Sequence, residues 1–451
     1  MATTTTTTQQ IRLSGENLGL GRISKNPAGS IETANSLLQK NHDIYHIFWR
    51  DVGGHNHIAH SVLSILALGG SPSDLQRAYD DGAEIQRPIP PVNLDIVKGL
   101  ADPVFFRKHI GDIDQYTNFL VFFEQEIAVK GREQVLQEYV FGRAPNAETI
   151  FAQLYEGAYH PIIHLGFGVE FELPTIIAEG LAQAAVHDSA GLEAFFNETE
   201  ELAAAAVASG LDRKPLNTLY DEVRVNDKIR TAARLQDGPV RVRDGVLGRA
   251  GKEIAALASQ YRIKPTELER ATAEMINLSA YSAGAAQRPG KKRKIDFFHM
   301  HNVNCSIFFT AFNNQSWISL EDKVRLVERK ARLDLVWYAA SAAAELHLEA
   351  IVNYKPTFSA GLDWKGLYDA VNKTHDDGHV AKFVRAIKNG EEVSKPFEEG
   401  EGSDHLPVKG ESWFKLAQMA YDTTYNQEVD DKWIWGVGYD PLWAKIPALE
   451  E

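Results

Sequence analysis

Apolar residues that recur every three or four positions, over stretches too long for strands, restrict this chain more than any other feature. ETANSLLQKNHDIYHIFW (32–49), HNHIAHSVLSILALG (55–69), NFLVFFEQEIAVKGREQVLQEYVF (118–141) and LPTIIAEGLAQAAVHDSAGLEAFFNETEELAAAAVASG (173–210) carry this spacing. So do residues 267–285, 321–354 and 377–390. Gly69-Gly70, Gly142 and Gly390 fall where helix C-terminal caps belong. Strand-like alternation is confined to PVRVRDGVL (239–247) and KIDFF (294–298), too short to build a sheet. The expectation is an all-α fold, a large bundle-like single core with long irregular connections. Residues 1–30 read as a disordered tail and its approach. Residues 31–451 read as one catalytic domain, with 391–411 a mobile acidic loop rich in Gly and Pro.

Charge narrows the partners. The formal net charge of −14 argues against nonspecific binding to nucleic acid or to anionic membranes. The basic run Lys291–Lys294 sits in a Pro-Gly turn and reads as a solvated loop. Cys305 is the single cysteine, so neither an internal disulfide nor a cysteine metal cage can form, which points to a reducing compartment. MATTTTTTQQ has no apolar core of a signal peptide, and no apolar run reaches membrane-spanning length. A soluble cytoplasmic protein is expected.

The chemistry concentrates in histidine. Eleven of the fifteen histidines fall in four short clusters, a density that ordinary core packing does not call for. They are His42, His46, His55, His57 and His60; His160 and His164; His299 and His301; His375 and His379. The His160/His164 and His375/His379 clusters have i,i+4 spacing, and His57 and His60 are at i,i+3, which is ligand spacing on a helix. Clustered imidazoles suit Zn, Cu, Ni or Fe better than Mg or Ca. Spacing leaves open which members bind. His164 is favoured over His160, which precedes Pro161 at a first helical turn, and His42, His46 and His55 read as supporting, packing or capping residues. Drawn as a helix at about 100° per residue, His375, His379 and Lys382 fall within about 60° of one another. Beside a cation the Lys382 amine would lose its proton and could take up carbon dioxide as a carbamate. The competing reading is that it reaches the surface or pairs with Asp376 or Asp377. GVLGRAGKE (245–253) lacks the glycine spacing and the Ser/Thr of a phosphate loop, and no dinucleotide-binding G-x-G-x-x-G appears.

HNHIAHSVLSILALGGSP, YHPIIHLGFGVEFELPTIIAEGLAQAA, DFFHMHNVNCSIF and THDDGHVAKFVRA resemble, in order, the signature blocks of the questin oxidase-like family. The resemblance covers about residues 35–445. It implies oxidative cleavage of an anthraquinone ring in fungal polyketide secondary metabolism, with dioxygen as co-substrate. It further implies a non-haem iron dioxygenase, with Fe(II) held by four histidines and a carboxylated lysine. Carried over, the ligands are His60, His164, His301, His379 and Lys382, with His57 and His375 as further candidates. His301 is preferred to His299, whose counterpart is usually apolar. Asn304 stands where many members have threonine, and with Lys382 it is the expected catalytic residue. Two alternatives stand beside this reading. One is an NADPH-assisted Baeyer–Villiger-type oxidase without metal, served by an external reductant or a reductase partner. The other is a non-catalytic helical scaffold or metal-binding protein.

Overall fold

A computed structural model describes residues 10–51 and 53–449. The threonine-rich start of the chain, residues 1–9, lies outside the described residues. The fold is all-α. Its sheet content among the described residues is one antiparallel pair, Phe48–Arg50 with Gly54–His55. Residues 239–247 are helical turns rather than strand. No helix of the described residues is long and apolar enough to cross a membrane.

The long periodic stretches break where the backbone demands it. The 118–141 stretch divides at Gly131 into helices Tyr116–Lys130 and Arg132–Tyr139. The 173–210 stretch divides between Pro174–Val186 and Leu192–Ala208. The 321–354 stretch ends as a helix at Ala340, where Ala342 and Ala343 both take positive φ. Periodicity alone cannot register such breaks, because the apolar pattern continues across them. Ser319 caps the Leu320–Ala340 helix by accepting the Asp322 N–H, which satisfies one of its unpaired amides.

The chain forms two compact units. One comprises the chain to Glu193 with Ala311–Ile318 and His375–Ala381; the other comprises Ala194–Thr310, Ser319–Thr374 and Lys382–Glu451. In the first, residues 10–29 form an ordered approach. Ile11, Leu13 and Leu18 are buried, and Asn17 donates to the Glu170 carbonyl. The helices Tyr116–Lys130, Glu156–Glu170 and Pro174–Val186 pack together at its centre. Two glycines let the last two touch backbone to backbone. A Cβ on Gly168 would lie 2.6 Å from the Ile177 nitrogen, and one on Gly180 2.7 Å from the Leu165 nitrogen. That crossing sets His164 beside Glu179.

In the second unit, the helix Leu268–Ala285 and the Phe297–Asn313 helix as far as Thr310 are almost wholly buried, and Leu320–Ala340 is buried along most of its length beyond its exposed first turn. The segment expected to be a mobile loop, 391–411, begins instead inside the Val380–Ser394 helix. It continues through single turns at Lys395–Phe397 and Ser403–His405. Leu406 and Val408 are buried, and the Asn277 amide bonds both backbone groups of Val408. Glu392, Glu399, Glu401 and Asp404 face water, while Glu398 accepts the Trp413 indole N–H and the apolar residues anchor the segment.

Candidate functional site

The site in the first unit is built around a strained turn. Gly157, Ala158 and Tyr159 have φ of 55°, 54° and 68°, three left-handed residues in succession, two of them bearing a Cβ. Such a run costs of order 1–2 kcal/mol per non-glycine residue and persists only where packing enforces it. Pro161, fixed in φ and lacking an N–H, then sits in the first regular turn. The result presents His160 toward His57, which immediately precedes the Ile58–Ala67 helix.

His57 Nδ1 lies 2.9 Å from the Asp377 carbonyl oxygen, and His160 Nδ1 contacts the Gly157 carbonyl oxygen. Carbonyls only accept, so both Nδ1 atoms carry hydrogen. The two Nε2 atoms then face each other at 2.8 Å with lone pairs opposed. That distance requires a shared proton or another cation between them. His379 completes the group. It is buried, its Nδ1 is 2.8 Å from Asp377 Oδ2, and its ring meets His57 edge-on at 4.6 Å. One ring nitrogen each of His57, His160 and His379 fall within 4.8 Å of one another, close enough to hold a metal ion.

A second file of groups runs through the helix crossing. His60 Nε2 is 3.1 Å from His164 Nδ1, and His164 Nε2 is 2.6 Å from Glu179 Oε2. Glu179 Oε1 lies 2.7 Å from His42 Nδ1, and His42 Nε2 lies 3.0 Å from Glu124 Oε1. Burial alone would raise the Glu179 carboxyl, yet hydrogen bonds from His164 and His42 hold it down at about 2. Burial alone would lower His42, yet its carboxylate partners Glu124 and Glu179 lift it to about 10. A fixed carboxylate takes the His164 Nε2–H, so a neutral His164 receives the His60 Nε2–H at Nδ1.

On the other side, His55 stacks on His160 at 3.8 Å and contacts His187 Nε2 at 3.1 Å. Burial disfavours a charged His187, but hydrogen bonds to Asp188 outweigh it and raise its pKa. Glu156, nearby, is pushed up to about 7 by burial, against the lowering influence of His187. Glu156, Gln153 and Asp188 line a cleft of about 420 Å³. His46 is held down at about 4 by burial and Arg87, and its Nδ1 accepts the Phe48 N–H.

The structure brings together His57, His60, His160, His164 and His379. His375 stands apart. The helix begins only at Val380, so the expected alignment of His375, His379 and Lys382 on one helical face does not exist. The His375 side chain is 79% exposed and bonds Asp81 at 2.6 Å. Lys382 is buried in the helix, within the part that belongs to the second unit. His301 and Asn304 are fully buried on the Phe297–Asn313 helix of that unit. His301 Nδ1 bonds the Phe297 carbonyl and Asn304 Nδ2 lies 3.0 Å from Met300 Sδ. Sequence reasoning favoured His164 over His160, whereas His160 makes the closer approach to His57. It missed Glu124, Glu179, Glu156 and His187. A signal existed for two of these, since Glu179 is the lone acid in LPTIIAEGLAQAAV and Glu124 directly follows the apolar run NFLVFF. An isolated charge in a buried apolar run needs a partner.

A family profile described as questin oxidase-like matches residues 54–387. A Baeyer–Villiger oxidase of Pestalotiopsis fici is 65% identical over 98% of this chain and 99% of its own length. A questin oxidase of Aspergillus terreus is 55% identical over 98% and 99%. A Baeyer–Villiger monooxygenase of a Cryptosporiopsis species is 51% identical over 96% and 98%. These names overturn the expected iron dioxygenase. Two of these three relatives, each sharing more than half of this sequence nearly end to end, are named for Baeyer–Villiger oxidation, and none is named for ring-opening dioxygenation. The Fe(II) cofactor and the carbamate on Lys382 are withdrawn with it. The helix-face alignment that lent the carbamate its physical appeal is absent as well.

Proposed function

Because this chain belongs to the questin oxidase-like family, we propose that it is a Baeyer–Villiger-type oxidoreductase acting on a hydroxylated anthraquinone in the cytoplasm. The observation that carries this reading is the end-to-end similarity to two relatives named for that oxidation and to one named a questin oxidase. In such a reaction one atom of dioxygen enters between a carbonyl carbon and the adjacent ring carbon, giving a lactone. The other atom leaves as water, and two electrons and two protons are consumed. The electrons come from a two-electron reductant, NADPH being the one to supply first.

The histidine network suits the protonic half of this reaction. With a proton between His57 Nε2 and His160 Nε2, two bases hold it whose other nitrogens are fixed on carbonyls, so it can be given up to a departing oxygen without ring reorientation. Glu179, ionised and buried, orients His164 and through it His60. The charged His42 opposite Glu179 keeps that carboxylate from taking the proton itself.

The test is turnover of a hydroxyanthraquinone in isotopically heavy dioxygen with NADPH. Mass spectrometry should find one heavy atom in the lactone and one in water. Two heavy atoms in the organic product would sink the proposal.

A further inference from the structure

Four aromatic side chains of the second unit form a continuous patch that folding leaves partly open to solvent. Phe297 and Trp435 stack with ring centres 3.7 Å apart and planes 12° from parallel. Phe298 and Trp337 stack at 4.8 Å and 13°. The two stacks meet edge to face, Phe298 against Trp435 at 5.9 Å and 87°. Phe297, Phe298 and Trp337 are each half-buried, and Trp435 is 46% exposed. Ordinary cores do not leave four contiguous rings in this state, and rimmed aromatic patches of this kind mark binding surfaces.

A second observation concerns the polar atoms. The Trp337 indole N–H has no hydrogen-bond partner among the described residues, and neither has the Arg241 Nε–H. Arg241 is otherwise well held. Its Nη1 donates to the Trp435 carbonyl at 2.6 Å, and its guanidinium lies 5.9 Å from the Phe298 ring centre. A buried donor without a partner costs free energy, so its persistence beside an aromatic surface needs a reason. An acceptor brought by a ligand is one. The ring of Phe297 also covers His301, at 4.5 Å, the histidine that the family resemblance singled out.

We propose that this patch receives the flat face of a quinone, Trp435 stacking on its rings and the Trp337 N–H donating to a ring carbonyl. A planar polycycle with peripheral carbonyls matches both features. An aliphatic ligand would use neither the parallel stacks nor the donor, and a cation would meet Arg241 unfavourably. The proposal rests on the anthraquinone reading above and adds where that substrate class is gripped.

The experiment is isothermal titration calorimetry with alizarin, a dihydroxyanthraquinone, without reductant so that nothing turns over. The full chain is compared with Trp435→Ala and Trp337→Phe, each checked for an unchanged thermal midpoint. Saturable binding is expected, weakened about five- to tenfold in Trp435→Ala by loss of the stacked face. Trp337→Phe keeps the ring and loses the donor, and should weaken binding about fivefold. Wild-type affinity in both variants would overturn the patch while leaving the anthraquinone reading intact. No binding to the unmodified protein would remove that reading, and the patch assignment with it. A self-association abolished by Trp435→Ala, with alizarin affinity unchanged, would reassign the patch to a second copy of the chain.

Discussion

In the second unit, Lys330 and Asp334 face each other one turn apart on the Leu320–Ala340 helix. Both are fully buried, with Nζ 2.6 Å from Oδ1, and Ser279 donates to the other carboxylate oxygen. In the first unit, His60, His164, Glu179, His42 and Glu124 run in a file, and His57, His160 and His379 converge nearby. The two clusters are similarly buried. They differ in how charge is closed. Lys330 and Asp334 cancel each other on the spot, and nothing in that arrangement calls for a proton to move. In the histidine assembly the Nε2 atoms of His57 and His160 face each other with lone pairs opposed, which is stable only with a proton or another cation between them. A closed pair fixes a fold, whereas an open file of imidazoles is free to hold a proton, the role we propose for it.

Breaking the closed pair should give the largest effect on stability. Lys330→Met leaves a buried carboxylate and should cost about 3–5 kcal/mol in chemical denaturation. Lys330→Met with Asp334→Leu should recover most of that loss, whereas an unrecovered double variant would mean the pair is more than structural.

Next is Gly157→Ala. The new Cβ would stand 2.2 Å from His187 Nε2 and 2.9 Å from His55 Nε2, at a positive φ. A loss of about 1–3 kcal/mol is expected, with turnover falling further than stability because the turn that presents His160 must shift. Proportional losses of both would make the turn a packing feature only.

The two carboxylates of the first unit sharpen the comparison through pH. Glu179 is depressed, so its stabilisation is present above the ordinary carboxylate pKa and is lost as pH falls toward about 2. Glu156 is raised, so the folded state binds the extra proton and stability declines as pH climbs from about 4.5 to about 7. Glu156→Gln should therefore flatten that decline and gain up to a few kcal/mol at pH 8, read from denaturation at several pH values. An unchanged slope would show that Glu156 titrates normally.

The smallest effect belongs to His375→Ala. Its exposed pair with Asp81 should change stability by less than about 1 kcal/mol and leave turnover alone. A large loss of turnover would return His375 to the site.

How much of this was legible in the sequence depends on the scale of the physics involved. The all-α class follows from apolar spacing, which burial enforces over many residues at once. Helix breaks at Gly131 and at Ala342–Ala343 do not, because they depend on one or two backbone angles inside an unbroken pattern. The same holds for the helix at Val380. Placing its start a few residues early put His375 on an imaginary face and gave Lys382 a role. His57, His60, His160 and His164 were visible as spacing, but the Glu179 that orients His164 comes from another helix, brought close by Gly168 and Gly180. Only its isolation in an apolar run hinted at it. The Lys330–Asp334 pair sits in a helix otherwise rich in charge, where nothing distinguishes it from a solvated i,i+4 pair.

The most direct test of the histidine assembly as the reaction centre is steady-state turnover of Glu179→Gln, measured with the hydroxyanthraquinone substrate and alongside its melting temperature. The amide keeps the shape but lacks the charge that keeps His42 protonated and the pure acceptor that orients the His164 ring. Turnover should fall by at least about a hundredfold in protein that remains folded. Glu179→Gln working at the wild-type rate would contradict the assignment of the chemistry to this network.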